Sequence, residues 1–349
     1  MSTLLTSRRD LATGFAAFGL VAAAAPAARA QPAGVDALSP TAINTAVQAA
    51  YARYRTLNEG ANADYIPALA KVPSNYFGIA LATPGGKLST AGDIEPTFSI
   101  QSISKVFTLA LVLQQSGEQA VEDSVGVDAT GQVFNSIVAV EQYRGKEENP
   151  FVNPGAIATT GNVQGANADE IWSKIIGIHS AFAGRKLEVN QEVYKSESDT
   201  NQRNRAIGML MSAYERFKGD PLQATDLYTR QCSIAVNAKD LAVMAATLAN
   251  GGKNPLTGVQ AVDSRHVPGI LAVMATAGLY DDSGKWLFHT GLPAKSGVGG
   301  GLIAISPGKF GIGTFAPPLD KAGNSVRGQR AITDISNALG GNPYAVRPA

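Results

Sequence analysis

The stretch "FSIQSISKVF", Phe98 to Phe107, places three serines and a lysine directly before a long apolar run. The run "SKVFTLALVLQQSG" predicts a strongly apolar helix that ends at Gly117. Serines are typical of a helix start, where their hydroxyl groups cap free backbone N–H groups. The same residues can also supply a nucleophile together with its own base, so this stretch has a structural and a catalytic interpretation.

The catalytic interpretation rests on the spacing of Ser102 and Lys105. On the first turn of a helix, side chains three apart share one face and come close enough to hydrogen-bond. A lysine can take the proton of a serine hydroxyl when burial lowers its pKa, because desolvation disfavours the charged form. Free N–H groups at the helix start can bind an oxyanion. A second S-x-x-K, Ser306 to Lys309, contains Pro-Gly and therefore predicts a turn.

A second signal lies late in the chain, at Lys295-Ser296-Gly297, followed by Val298 and three glycines. A Lys-Ser/Thr-Gly strand that faces an S-x-x-K helix is the pairing of the serine β-lactamases and penicillin-binding proteins. The glycines allow a ligand or another backbone to approach closely. By itself the segment also fits a glycine-rich hairpin, but the two signals in this order favour a serine hydrolase.

The remaining pattern predicts an α+β fold. "YFGIALAT", "PGG" and "KLSTAGD" read as a strand, a turn and a second strand, and the Gly-rich segment before Pro318 reads as antiparallel strands. We therefore predict one domain over residues 42–345, with an antiparallel sheet from about 62–100 and 285–318, a C-terminal helix, and a mainly helical region over about 102–284. Residues 31–41, rich in Pro, Ala and Ser, are predicted to form a flexible leader.

The first thirty residues have the pattern of a signal peptide. Arg8 and Arg9 precede a mildly apolar Ala/Gly-rich run that ends in Ala28-Arg29-Ala30, an A-x-A cleavage pattern. Paired arginines before such a run are typical of a twin-arginine signal. We expect export to the periplasm or secretion, and no membrane association after the signal is removed.

Composition limits the other classes of function. The 349 residues carry a net charge of +1, and removal of residues 1–30 changes it to roughly −1. No basic run then remains, which argues against nucleic acid as a partner. The single cysteine, Cys232, cannot form an internal disulfide, and the three histidines lack metal-ligand spacing. We expect no metal and no organic cofactor.

Seven motifs in order give a resemblance to the serine-dependent glutaminases. They lie between about residues 63 and 318 and read "ADYIPALAKV", "FSIQSISKVF", "GQVFNSI", "NPFVNPGAI", "VYKSESDTNQRNRAIG", "LYTRQCSI" and "GLYDDSGKW…GLPAKSGVGGG". The resemblance implies a β-lactamase/DD-peptidase-like fold and hydrolysis of L-glutamine to L-glutamate and ammonia. It also implies homodimers or homotetramers.

The resemblance implies roles for individual residues. Ser102 matches the nucleophile, Lys105 the base, and Val298 a backbone oxyanion donor. Tyr280 matches a tyrosine that lines the site and shares in proton transfer. Further substrate contacts are implied at Tyr65, Asn153, Glu197, Asn204 and Tyr228. Without the resemblance, Glu197 reads as a solvated surface acid, Tyr228 as a core aromatic and Asn153 as a turn residue.

Two alternatives remain open at this level. The first is a β-lactamase or DD-peptidase, although no Ser-Asp-Asn occurs between Ser102 and Lys295. The second is a non-catalytic amino-acid-binding protein on the same scaffold. Activity on asparagine or γ-glutamyl compounds is also open, because one methylene changes discrimination by only about 1–3 kcal/mol.

Overall fold

The computed structural model describes residues 38–146 and 148–345. The predicted signal peptide and residues 31–37 of the predicted leader lie outside this part of the chain. The helices are α1 Pro40–Tyr54, α2 Pro67–Ala70, α3 Ser104–Ser116, α4 Glu118–Ser124, α5 Ile137–Tyr143, α6 Asn153–Gly161, α7 Ala168–Ala183, α8 Gln191–Thr200, α9 Gln202–Ala213, α10 Pro221–Cys232, α11 Ala238–Ala249, α12 Val267–Ala277, α13 Ser283–Thr290 and α14 Val326–Ala338. The strands are β1 Gly78–Ala82, β2 Leu88–Gly92, β3 Phe98–Ser99, β4 Glu188–Val189, β5 Ile234–Val236, β6 Ala294–Ser296, β7 Gly301–Ser306 and β8 Phe310–Phe315. Short 3₁₀ turns span Gln101–Ile103, Ser264–His266 and Tyr280–Asp282.

A five-stranded antiparallel sheet joins the two ends of the chain, in the order β2-β1-β8-β7-β6. In the hairpin β1–β2, Ala82 pairs with Leu88 around the Pro-Gly-Gly turn. In the hairpin β7–β8, Ser306 pairs with Phe310, so the second S-x-x-K is a turn. Strands β1 and β8 then pair with each other, which confirms that the sheet is built from both ends.

Both faces of β1, β7 and β8 are buried, which explains why these strands read as mainly apolar runs, whereas the edge strand β2 is largely exposed. Along β1, Ile79 and Leu81 face the cluster formed with α1 and α14, whereas Ala80 and Ala82 face the cluster formed with α3 and α11. This alternation follows from the two-residue period of a strand.

Helix α11 lies unusually close to β8, and glycine makes this possible. A Cβ at Gly313 would lie 2.5 Å from the backbone nitrogen of Ala242 on α11. Because real Cβ atoms need more room than this, the close packing of helix on strand depends on the missing side chain.

A second, three-stranded sheet has the order β3-β5-β4. Phe98 pairs with Val236, and Val189 pairs with Ile234. The mainly helical middle of the chain therefore contributes two short strands that the sequence did not predict. They hold the segment that leads directly into Ser102.

Three predicted boundaries were wrong. The sheet was expected from about residue 62, but Pro67–Ala70 forms helix α2 and the first strand begins at Gly78. The segment Ser283–Thr290, expected to begin the second half of the sheet, is helix α13, and the first strand after it is Ala294–Ser296. Trp286 is buried on one side of α13 and donates from Nε1 to Leu292 O at 2.7 Å, which anchors the helix. The predicted leader also extends too far, because α1 begins at Pro40 with the Ser39 hydroxyl as its cap.

The predicted apolar helix is α3, which ends at Gly117 as expected. Its residues Ser104 to Leu113 are all buried. A helix that is apolar on all sides belongs in the interior of a protein, and α3 is packed between α7 and the other helices of the middle region. Within the described residues, no helix is long and apolar enough to cross a membrane.

Candidate active site

Ser102 lies in the 3₁₀ turn Gln101–Ile103, immediately before α3, and not within the α-helix itself. Gln101 has φ of 51°, a left-handed conformation that non-glycine residues seldom adopt. Strained backbone of this kind persists where the surrounding structure enforces it, often at functional sites. The turn leaves Ser102 buried but in the lining of a partly open cavity.

Lys105 follows one turn later and is 1% exposed. Its Nζ donates to Asn153 Oδ1 at 2.8 Å and to Phe151 O at 3.0 Å. Burial disfavours the ammonium and lowers the pKa of Lys105 to about 7, although the nearby Cys232 and Glu197 oppose this shift. Near neutral pH the amine is therefore uncharged in a large fraction of molecules.

The expected contact between Ser102 and Lys105 takes a different form. Among the hydrogen bonds of the described residues, none joins Ser102 Oγ to Lys105 Nζ. The Ser102 side chain lies beside the Tyr280 phenol. Among the same hydrogen bonds, the Tyr280 hydroxyl donates to Ser296 O at 3.4 Å. Burial raises the pKa of Tyr280 to about 12, so its phenol keeps its proton.

The glycine-rich segment after β6 lies against the strand that leads to Ser102. A Cβ at Gly297 would lie 2.7 Å from Ile100 O, which only glycine permits. This approach brings Val298 into the same cavity as Ser102. Within the described residues, neither the N–H of Ser102 nor that of Val298 has a hydrogen-bond acceptor. The two predicted oxyanion donors are therefore both available.

The Asn153 side chain lies at the centre of a buried polar network. Its Oδ1 accepts from Lys105 and, at 3.1 Å, from the Tyr228 hydroxyl, while its Nδ2 donates to Asn204 Oδ1 at 3.0 Å. Asn153 is the first residue of α6, and the proline that follows fits this position because the first helical N–H groups need no partner within the helix. Asn153 is thus part of a helix start and not an exposed turn residue.

Glu197 lies on α8 and is 7% exposed, so it is not the solvated acid that its charged surroundings suggest. Its Oε2 accepts a hydrogen bond from Gln101 Nε2 at 3.3 Å. Burial raises the pKa of Glu197 to about 7, and the Gln101 bond and the positive charge of Lys105 only partly oppose this. A cationic ligand group beside Glu197 would relieve the cost of a buried carboxylate.

These groups surround a cavity of about 110 Å³. Seven of the predicted site residues line it: Tyr65, Ser102, Asn153, Glu197, Asn204, Tyr228 and Val298. Lys105 and Tyr280 lie directly behind this lining: Lys105 is hydrogen-bonded to Asn153, and Tyr280 lies beside Ser102. Tyr65 is half exposed, which puts it at the rim of the cavity. The structure thus brings all nine predicted residues together.

The sequence reasoning missed other residues that line the cavity: Gln101, Phe134, Asn135, Thr200, Asn201 and Arg203. All six lie inside the seven glutaminase-like motifs. The motifs therefore located the correct segments but did not show which of their side chains line the cavity. Gln101 is the most consequential omission, because it contacts Glu197 and directly precedes Ser102.

Size does not single out this cavity. A hollow of about 530 Å³ lies near the ends of α3, α6 and α9, but it holds none of the predicted nucleophile or base groups. The single cysteine, Cys232, is buried close to Tyr228, and burial raises the pKa of its thiol to about 12. In the part of the chain that the structure describes, no group of three or more His, Cys, Asp and Glu side chains could hold a metal ion.

Comparison with known proteins gives the family. The family model described as Glutaminase matches residues 60–344. The chain belongs to the glutaminase family. The glutaminase of Colwellia psychrerythraea is 54% identical over 302 residues, which cover 86% of this chain and 97% of that protein. Glutaminase 2 of Yersinia pestis is 48% identical, over 88% of this chain and 91% of that protein.

Solved structures of glutaminases have the same fold. A probable glutaminase, ybaS, superposes with a TM-score of 0.87 at 46% identity, over 88% of this chain and 100% of that one. Mglu in its glutamate form gives a TM-score of 0.83 at 36% identity, over 88% of this chain and 71% of that one. The predicted β-lactamase-like α+β fold and the predicted amidohydrolase class are confirmed. Neither comparison favours the β-lactamase or DD-peptidase alternative.

Proposed function

We propose that this glutaminase hydrolyses L-glutamine through an acyl-enzyme on Ser102, with Lys105 as the base. The observation that carries the proposal is the setting of the Lys105 amine. A neutral amine has two N–H groups and one lone pair, and Lys105 Nζ donates to two acceptors, Phe151 O and Asn153 Oδ1. The lone pair therefore remains free to receive a proton.

In the first step, Ser102 Oγ attacks the side-chain amide carbon of glutamine and its proton passes to Lys105. The N–H groups of Ser102 and Val298 stabilise the oxyanion. The C–N bond then breaks, ammonia leaves with a proton from Lys105 or Tyr280, and a γ-glutamyl ester remains on Ser102. In the second step, water adds to the ester and gives a proton to the group that protonated the ammonia. The ester bond then breaks, glutamate leaves, and Ser102 Oγ takes up the proton that water supplied to the site.

The polar lining suits the other end of free glutamine. The Glu197 carboxylate would pair with the α-ammonium, since a buried acid needs a positive partner. Asn204 Oδ1 is already occupied by Asn153, so its amide nitrogen is the group that remains to donate to the α-carboxylate. Tyr65, at the rim, would close over the bound substrate.

The test is a coupled measurement of ammonia and glutamate from the purified protein without residues 1–30, with asparagine and nitrocefin as control substrates. We expect equal amounts of both products from glutamine. Hydroxylamine, a competing nucleophile, should divert the acyl-enzyme to γ-glutamyl hydroxamate. Glutamine hydrolysis without any hydroxamate would contradict the acyl-enzyme, and nitrocefin hydrolysis without ammonia release would favour a β-lactamase.

We also propose that residues 1–30 direct export through a twin-arginine route and that the mature protein acts in the periplasm or outside the cell. The support is the sequence pattern at Arg8, Arg9 and Ala28–Ala30. Replacement of Arg8 and Arg9 by lysine should move glutaminase activity from the exported to the cytoplasmic fraction. An unchanged distribution would contradict this. We further propose a homodimer or homotetramer, which light scattering of the purified protein tests directly.

A further inference from the structure

An apolar cavity of about 200 Å³ lies between α3, α4 and α12, away from the active site. It shares no lining residue with the cavity around Ser102. Its floor is formed by Leu109 and Leu113 of α3 and by Val273 of α12, which belong to the main hydrophobic core. The Thr276 hydroxyl, also in the lining, already donates to backbone carbonyls of its own helix. A ligand in this cavity would therefore need an apolar body.

The charged side chains of the lining are two acids, Glu118 and Glu122, and no base. They lie one turn apart on α4, so their carboxylates share one face of the helix. Among the ion pairs of the described residues, neither acid has a lysine or arginine partner. Like charges at this spacing repel, and the helix N-terminus favours an acid only at Glu118, in the first turn. A cation at the mouth of the cavity would relieve this repulsion.

The Glu118 carboxylate reaches from α4 towards α12. A Cβ at Gly269 on α12 would lie 3.9 Å from Glu118 Oε1, so the acid faces that helix at a glycine. His266, at the start of α12, is 4% exposed, and its Nε2 accepts from Arg265 Nε at 3.3 Å.

This bond fixes the proton of a neutral His266 on Nδ1, because one ring nitrogen of a neutral imidazole donates and the other accepts. Among the described residues, Nδ1 is buried without a hydrogen-bond partner, and Glu118 Oε1 lies 3.8 Å from it. A small inward movement of the carboxylate would make this a hydrogen bond. The buried N–H thus offers an anchor for Glu118 on the inner side of the mouth.

We propose that this cavity binds a primary ammonium compound with a compact apolar body, such as an aromatic or branched alkyl amine. The ammonium lies between Glu118 and Glu122, and the apolar body packs on Leu109, Leu113 and Val273. The size fits this class of ligand. A cavity of about 150 Å³ with an apolar lining holds a benzene molecule, so about 200 Å³ holds a six-membered ring with a short arm.

Binding at this cavity is independent of the proposed hydrolysis of glutamine, because no residue of the proposed mechanism lines it. The two sites are nevertheless joined by one helix. Leu109, in the floor of the cavity, lies four residues after Lys105 on α3. Binding is therefore best measured directly and not through turnover.

The test uses 4-fluorobenzylammonium, followed by ¹⁹F NMR relaxation, with the protein without residues 1–30. The neutral probe of the same shape is 4-fluorobenzyl alcohol. We expect saturable binding of the ammonium with a Kd of about 1 mM. The alcohol should bind about tenfold more weakly, because it cannot pair with the two carboxylates.

Variants locate the site. Ala272→Leu, at an exposed position of α12 in the lining, fills the cavity and should weaken binding of both probes more than about tenfold. Glu118→Gln combined with Glu122→Gln should reduce the affinity for the ammonium to that for the alcohol. Asp123→Asn is the matched control, because Asp123 is exposed on the same helix but does not line the cavity. Glu197→Gln removes the acid of the active site. Both Asp123→Asn and Glu197→Gln should bind as the wild type does.

Several outcomes would overturn the proposal. They are no saturable binding up to about 10 mM, equal affinity for the ammonium and the alcohol, or unchanged binding in a folded Ala272→Leu variant. Loss of binding in Glu197→Gln would place the probe in the active site instead. Thermal melting checks the fold of each variant, and the paired glutamine variant tests the site even if Ala272→Leu does not fold. A protein that binds the ammonium as expected but releases no ammonia from glutamine would contradict only the proposed function.

Discussion

The pH dependence of kcat/KM is the sharpest consequence of the two buried ionisable groups that face each other across this site. In the proposed mechanism, Lys105 must be neutral to accept the Ser102 proton, and Glu197 must be charged to hold the α-ammonium. Burial lowers the pKa of Lys105 to about 7 and raises the pKa of Glu197 to about 7. Acidification therefore disables both groups within the same pH range.

The magnitude follows from the two titrations. Between pH 8 and pH 6, each active form falls about tenfold, so kcat/KM should fall about a hundredfold in the wild type. In Glu197→Gln only Lys105 titrates, so kcat/KM should fall only about tenfold between pH 8 and pH 6. Its value at pH 8 should already be lower than that of the wild type, because KM is raised. Because the charges of Lys105 and Glu197 interact, the apparent pKa values describe the pair and not either residue alone. The quantity to compare between the wild type and Glu197→Gln is therefore the number of protons that inactivates the enzyme.

The assay is ammonia release at substrate concentrations below and above KM, from pH 5 to pH 9. At saturating glutamine, the α-ammonium lowers the pKa of Glu197, so kcat of the wild type should follow one proton and not two. Glu192→Gln is the matched control, because Glu192 lies on the same helix but is exposed. A hundredfold fall in Glu197→Gln, or a flat wild-type profile between pH 8 and pH 6, would refute the reasoning.

Further predictions concern single side chains. Ser102→Ala should remove ammonia release while circular dichroism and melting temperature stay close to those of the wild type; measurable steady turnover would exclude Ser102 as the nucleophile. Lys105→Met should also end turnover. It should raise the free energy of unfolding most below pH 7, because the buried ammonium weakens the native state there and this cost disappears as pH rises from about 7 towards 10.5. Asn153→Ala should lower kcat about ten- to a hundredfold, since Lys105 and Tyr228 both lose their acceptor; an unchanged kcat would remove Asn153 from the mechanism. Gly313→Ala should destabilise the protein by about 1–3 kcal/mol, because its Cβ would overlap α11. Gly177→Ala, on α7 with open space around it, should be neutral or stabilising by up to about 1 kcal/mol in urea unfolding.

Much of the fold was predictable from the sequence because it depends on neighbouring residues. The Pro-Gly-Gly turn between β1 and β2, the Pro-Gly turn between β7 and β8, and the apolar run of α3 are each determined within about twenty residues. Short segments without such signals were less predictable. The segment over 283–290 has too few residues to separate helix from strand, and tertiary contacts of Trp286 decide for the helix. The strands β4 and β5 are two and three residues long and exist only through pairing with distant residues.

The residues of the candidate site likewise fall into those that the sequence indicated and those that only the structure revealed. From residues alone, the sequence indicated Ser102, Lys105 and the Lys-Ser-Gly strand, while the other site residues came from the resemblance to the glutaminases. No sequence rule indicated that Gln101 contacts Glu197, because the two are 96 residues apart. Nor did spacing show that Ser102 lies beside Tyr280, which comes from a turn about 180 residues later in the chain.

The sequence by itself determined the order of the elements and put a hydroxyl and an amine one turn apart, because turns, caps and hydrophobic periods are local properties of the chain. Only the tertiary structure decided that Lys105 and Glu197 are buried with shifted pKa values, which is what their proposed roles as base and ligand group require. Both properties come from loss of water around an ionisable side chain, and that loss is produced by residues from α6, α8, α10 and β6 that are far away in sequence. A motif can therefore name a nucleophile, but the pKa values that make it work belong to the folded protein.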